Sequence, residues 1–381
     1  MRRTAKRPLV LLTNIWLGGR SGTEVVTLDF AAGLARRGWR TAIYAARLRD
    51  GAAAPDGVEL VRSLADLDRA PDLVHGHQHP PLAAALMQFR GAPAIQMIHD
   101  ARSWHDRGLA WQRVRAVVAV DEACRERAVR DLARTSDEIA ILPNALDLSR
   151  CQPRGPLPRR PARVLVVANR LGEHVPAVLA ACAAAGLEAQ SVGYGVGRPS
   201  TTLEADMRDA DIVVGAARIA LEAMAVGCAA LVCDVRGLAG LATPGTFDHW
   251  RAWNFGHRLL TAPVTAETVG AALAAYDADA AAEVTRRVRA ECGLEPALDR
   301  LEALYRDAMD GFDAGTIDQT REGRDTDDYL RAWLPTTLLD SPFEYEVRTM
   351  AGADHRLRSV IAEFARRGIT INFDAPQDGG G

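Results

Sequence analysis

Residues 9–38 read LVLLTNIWLGGRSGTEVVTLDFAAGLARRG, and the fold turns on them. LVLLTNIW is an apolar run of strand length, as expected for a parallel strand covered on both faces. Gly18, Gly19 and Gly22 follow, then a stretch of helical period, TEVVTLDFAAGLARRG, stopped at Gly38. Such glycines let the chain turn tightly and approach a ligand, while the new helix aims its unpaired N–H groups at the same place. Ser21 and Glu24 have the spacing of a capping box, which would fix the helix start. The pattern is not GxGxxG. Taken by itself it suits a structural turn as well as a phosphate or sugar contact.

The same unit repeats outward from there. TAIYAA, VELVR, DLVHG, PAIQMIH, AVVAVD and IAILPN read as strands, and PLAAALMQFRG and EACRERAVRDLAR as helices. Alternating strands and helices predict a doubly wound parallel sheet. The segment RCQPRGPLPRRP, with four prolines, suits neither a helix nor a central strand. It sets a linker at 151–161 between a first domain, 1–150, and a second, 162–312. In the second, ARVLVVAN, AQSVGYG, ADIVVG and CAALVCD are strands, and VPAVLAACAAAG and ARIALEAMAVG helices. Residues 313–381 are expected as a helical extension, with DDYLRAWLP and HRLRSVIAEFARRG as helices and a disordered end. Two similar halves leave a cleft between them, a favoured place for a ligand.

Composition narrows the class. The chain has 381 residues, 48% hydrophobic and 25% charged, with a net charge of -3. That length fits two domains plus an excess, and the charge balance argues against nucleic acid as a partner. The six cysteines form no CxxC pair, so we read them as reduced thiols in a cytoplasmic protein. No apolar run is long enough to span a membrane, and MRRTAKRP leads into a strand, not into a secretory leader. Arg2, Arg3, Lys6 and Arg7 are read as a solvated terminus, with peripheral contact to anionic lipid as the weaker alternative.

Two further stretches carry chemistry. DLVHGHQHPP sets His75, His77 and His79 at alternate positions, which in an extended chain would share one face and could hold zinc. In VVGAARIALEAMAVG, Gly215 ends a strand, Arg218 opens a helix, and Glu222 lies one turn on. A guanidinium at a helix start suits a diphosphate, and a carboxylate just inside suits a ribose diol. An internal Arg218–Glu222 ion pair is the plain alternative.

These pieces, in order, resemble the retaining GT4-like glycosyltransferases of the GT-B fold. GGRSGTEVVTLDFAAGLARRGW, DLVHGHQHPP, IHD, VVAVDEACRE, ILPNALDLSRCQP, VLVVANRL, VGYG and ALEAMAVGCAALVCD carry the likeness, across residues 8–312. The resemblance implies two Rossmann-like domains facing a cleft, and transfer of a sugar from a UDP- or GDP-sugar to a sugar, lipid-linked or small-molecule acceptor. It implies no cofactor and no bound metal, so the three histidines are not read as a zinc site. By the same likeness, His99 and Asp100 lie at the reacting sugar. Gly19, Arg170, Gly195, Arg218 and Glu222 hold the donor, and Arg20, His75, His77 and Trp104 line the cleft. The likeness has gaps. The family's lysine falls on Val175 and its first glutamate on Val214, so Arg218 is expected to supply the lost positive charge.

No GxSxG, HExxH or convincing DxD loop is present, which disfavours serine hydrolase, zinc protease and metal-dependent GT-A chemistry. Two other readings stay open: a non-catalytic GT-B protein that binds a nucleotide or sugar, and a nucleotide-sugar 2-epimerase.

Overall fold

The computed structural model describes residues 7–19, 21–169, 172–200 and 202–333. Arg20, Arg170, the amino-terminal basic residues before Arg7, and the expected helix and tail beyond 333 lie outside the described residues.

The first lobe is a seven-stranded sheet built from β1 (Leu9–Leu17), β2 (Arg40–Leu48), β3 (Val58–Val61), β4 (Leu73–Gly76), β5 (Ala94–Ile98), β6 (Val114–Ala119) and β7 (Ile139–Ile141). Its order is β3-β2-β1-β4-β5-β6-β7 and every pairing is parallel. Helices α1 (Gly22–Arg36), α2 (His79–Gln88) and α3 (Glu122–Leu132) make the crossovers. Ser21 and Glu24 form the expected capping box at the start of α1.

The second lobe is a five-stranded sheet of order β12-β11-β10-β8-β9. It comprises β8 (Arg163–Val167), β9 (Glu188–Val192), β10 (Ile212–Gly215), β11 (Ala229–Asp234) and β12 (Gly237–Leu241). Four of its strands were legible as apolar runs. The antiparallel edge strand β12, GLAGL, was not, because its glycines hide any strand period. Helices α4 (Val175–Ala184), α5 (Leu203–Arg208), α6 (Arg218–Val226), α7 (Phe247–Ala252), α8 (Ala266–Ala274) and α9 (Ala278–Glu291) surround it. Two more follow, α10 (Leu294–Met309) and α11 (Gln319–Trp333).

The cores hand over at points different from the expected boundaries. Ala145 belongs to the first core and Leu146 to the second, so the chain crosses before the proline-rich stretch. Cys151 is already buried in the second lobe. The chain returns just as abruptly: Cys292 packs in the second core and Leu294 in the first. The two crossings run side by side, Leu146 N–H donating to Cys292 O at 2.9 Å and Leu294 N–H to Leu146 O at 2.9 Å. Helix α10, expected within the second domain, therefore buries Leu298, Leu301 and Tyr305 in the first core. Its apolar face matches the first sheet's helical layer, and sequence order has no bearing on that. Helix α11 docks on the first lobe, through Glu322 on the buried Arg113 and Tyr329 against Trp111.

Candidate active site

In open α/β sheets ligands sit beyond the carboxyl ends of the strands, where the winding direction reverses. In the first lobe that point lies between β1 and β4, next to the Gly18–Gly19 turn. In the second it lies between β8 and β10, next to α4 and α6. The lobes also touch away from these points. Arg258 pairs with Glu126, Arg251 Nη2 donates to Asn144 O at 2.7 Å, and Asp100 is within electrostatic reach of Arg236 and His257.

At the first edge, Gly18 takes φ 109°, where an added Cβ would press on Arg49 and Ala52 at 3.0 Å. Gly19 N–H, expected to face the donor, donates instead to Glu24 Oε1 at 2.7 Å, and Ser21 N–H to Glu24 Oε2 at 3.0 Å. The chain's own carboxylate thus occupies the helix start that a phosphate would use.

The histidines answer to other elements. His75 and His77 were expected to line the cleft, but both are fully buried, under Phe30 of α1 and Tyr305 of α10. His75 Nδ1 meets the Tyr305 hydroxyl at 2.7 Å. His77 Nδ1 lies 2.9 Å from His99 Nε2, their rings stacked. His79 is not extended but is the first residue of α2, and its nitrogens reach the Tyr329 hydroxyl (3.0 Å) and Trp104 O (3.1 Å). The three imidazoles therefore have separate hydrogen-bond partners, although His75 and His77 also pack against each other. Among the described residues no group of His, Cys, Asp and Glu could hold a metal ion.

His99 stands where β5 ends, half-buried, and its backbone N–H donates to Asp106 Oδ1 at 3.0 Å. Burial drives its pKa down to about 3, so the ring is a neutral hydrogen-bonding group at physiological pH, not a cation. Asp100 follows, one oxygen accepting from the N–H groups of Arg102 (2.8 Å) and Ser103 (3.1 Å). Trp104 meets His79 and His105 edge to face, and Trp16 packs on His105.

The second edge departs most from expectation. Arg218 is 7% exposed and all three of its nitrogens are engaged. Nη2 donates to Asp29 Oδ2 on α1 (2.8 Å), Nε to Glu222 Oε1 (2.8 Å) and Nη1 to Ala145 O (3.2 Å). Arg150 grips Asp29 as well, at 2.8 Å. The cation expected to compensate for the missing lysine is instead the centre of a buried bridge between the lobes. The reason is that Asp29, buried on α1, offers it a carboxylate in a dry contact. Glu222 lies in the same bridge, its pKa raised by burial against the pull of Arg218. Gly195 N–H is committed to Ala168 O at 2.8 Å. Just before Arg218, Ala217 holds φ 54°, ψ −124°, a strained conformation for a residue with a Cβ.

Sequence reasoning passed over Asp29, Arg150, Asp234 and Arg236. The one available signal was a carboxylate, Asp29, between Leu28 and Phe30 on an otherwise apolar helix face.

Comparison with known proteins agrees with this architecture. Residues 20–150 match the model of Glycosyltransferase Family 4. No protein of curated function matches the chain by sequence. Among solved structures the chain is similar to a glycosyltransferase from Rickettsia africae ESF-5, at 10% identity and a TM-score of 0.56, over 80% of this chain and 100% of that one. It is also similar to AviGT4, a glycosyltransferase involved in avilamycin A biosynthesis, at 13% identity and a TM-score of 0.50, over 81% and 99% of the two chains. The fold is GT-B, and the resemblance to GT4-like glycosyltransferases holds. At the level of family and fold, the chain is supported as a glycosyltransferase. None of the described helices is long and apolar enough to cross a membrane.

Proposed function

We propose that the chain transfers a sugar from a nucleotide-diphosphate sugar to an acceptor held against the first lobe. The observation that carries this reading is the contact of α1 and α6, which follow the winding-reversal strands β1 and β10 of the two sheets, through Asp29 and Arg218, in a chain whose first lobe matches a glycosyltransferase family. Transfer requires stabilisation of negative charge on the departing diphosphate and of positive charge at the anomeric carbon. His99, neutral and at the end of β5, suits a hydrogen bond to a sugar hydroxyl. Trp104, Trp16 and His105 offer apolar ring surface for an acceptor. Retention, by same-face attack assisted by the leaving phosphate and without metal, is part of the proposal, as is a UDP- or GDP-sugar donor without further cofactor.

One alternative has an observation in its favour. Glu24 fills the α1 helix start and Arg218 is locked to Asp29, as in a GT-B protein that binds a nucleotide without turning it over. A thermal-shift screen against UDP, GDP and their sugars, followed by assay of diphosphate release, decides the matter. A melting shift with release supports the transferase, and a shift without release of any donor supports the binding protein. No shift with any nucleotide overturns both.

A further inference from the structure

Building on the transferase reading, the diphosphate must find positive charge at the second lobe's edge. Arg170 lies outside the described residues, and among the described ones Arg218 and the N–H groups of Gly19 and Gly195 are spoken for. Strands β8, β10 and β11 lie side by side in the sheet, and their carboxyl ends hold another set of groups. His174 follows β8 as the N-cap residue of α4. It is 5% exposed, and among the described residues neither ring nitrogen has a hydrogen-bond partner. No side chain caps α4. Beyond β11, Asp234 accepts from Arg236, from its backbone N–H at 2.7 Å and from Nε at 2.9 Å, with Nη2 also bonded. That fork engages one side of the guanidinium and leaves Nη1 unbonded among the described residues.

We infer that Arg236 is the cation that receives the donor's diphosphate, with His174 and the open start of α4 completing the anion site and Asp234 holding the guanidinium in register. A buried imidazole with two unpaired nitrogens is costly unless a ligand or solvent completes it, and an uncapped helix start favours an anion. Arginine suits the task because its planar fork binds a carboxylate on one edge and a phosphate on another. Charges of both signs meet here: burial and the charges of Arg236, Arg102 and Arg258 hold the nearby His257 down to about 4 against Asp100, and Asp234 lies within electrostatic reach of His174.

The test measures UDP, GDP, UMP and GMP binding to the full chain and to Arg236→Gln, Arg236→Lys and His174→Ala, with a melt of each unliganded protein. Arg236→Gln is expected to weaken the diphosphate that the wild type binds by about tenfold or more, and to shrink its preference over the monophosphate. Arg236→Lys retains part of the affinity, and His174→Ala loses a smaller share. Should the glutamine leave Asp234 unpaired and unfold the chain, the double variant Asp234→Asn/Arg236→Gln takes its place. Wild-type diphosphate affinity in a folded variant without Arg236 overturns the inference while the transferase reading stands. A wild type that binds neither UDP nor GDP overturns the transferase reading itself, and this inference with it.

Discussion

At the scale of single residues, Asp29, Glu222, Arg150 and Arg218 form a charge-balanced group at the junction of the lobes. Asp29, Glu222 and Arg218 are largely removed from water while Arg150 is 38% exposed, so the buried pairs gain little over an apolar contact, but a missing member leaves its partners uncompensated. Arg218→Met is therefore expected to cost about 3–5 kcal/mol of stability. Asp29→Asn is expected to cost a similar amount, and the double variant less than the sum of the two. Urea denaturation of the four proteins measures this cycle, and additive losses would mean that the two residues act independently. The Arg218–Glu222 spacing was visible in the sequence, and both the ion pair and the ligand site were compatible with it. What could not be read was Asp29, which lies 189 residues away from Arg218.

At the scale of elements, α10 closes the first lobe although it follows the whole of the second in the chain. Trp39 Nε1 donates to Glu302 Oε1 at 2.9 Å, Arg37 holds Asp299 at 2.7 Å, and Leu298, Leu301 and Tyr305 are fully buried. Burying one such side chain contributes about 1.5–3 kcal/mol, so the helix accounts for a large part of a domain stability of about 5–15 kcal/mol. A chain ended after Cys292 is expected to lose its cooperative melt, followed by circular dichroism, whereas one ended after Phe312 keeps it. A sharp, unshifted melt without α10 would contradict that role. The helix itself was legible from its period. Its destination was not, since an amphipathic stripe fits any apolar surface of suitable shape.

At the scale of the whole molecule, His75, His77 and His79, buried, and His99, half-buried, are held in the neutral state. Burial pushes His75, His79 and His99 down to about 3, and His77 well below its ordinary value. In the unfolded chain each titrates near 6.5, so between that pH and about 3 the unfolded state binds more protons and stability rises with pH. Acidification from pH 7 to 5 is therefore expected to lower the urea midpoint progressively. Once below the unfolded pKa, the loss approaches about 1.4 kcal/mol per pH unit for each histidine. A midpoint that stays level over that range would mean that these rings are solvated or already charged in the folded protein.

The sequence by itself determined the alternation of strands and helices, the capped glycine turn before α1 and the parallel winding of the first sheet and of four strands of the second. Those features follow from hydrophobic period and from glycine and proline within a few residues of each other, and folding had no choice but to keep them. Tertiary structure decided the partners of the polar groups: Arg218 with Asp29, and His75 with Tyr305 230 residues on. A charge or an imidazole takes its role from whichever opposite group reaches it once water is excluded, and that proximity exists only in the packed molecule.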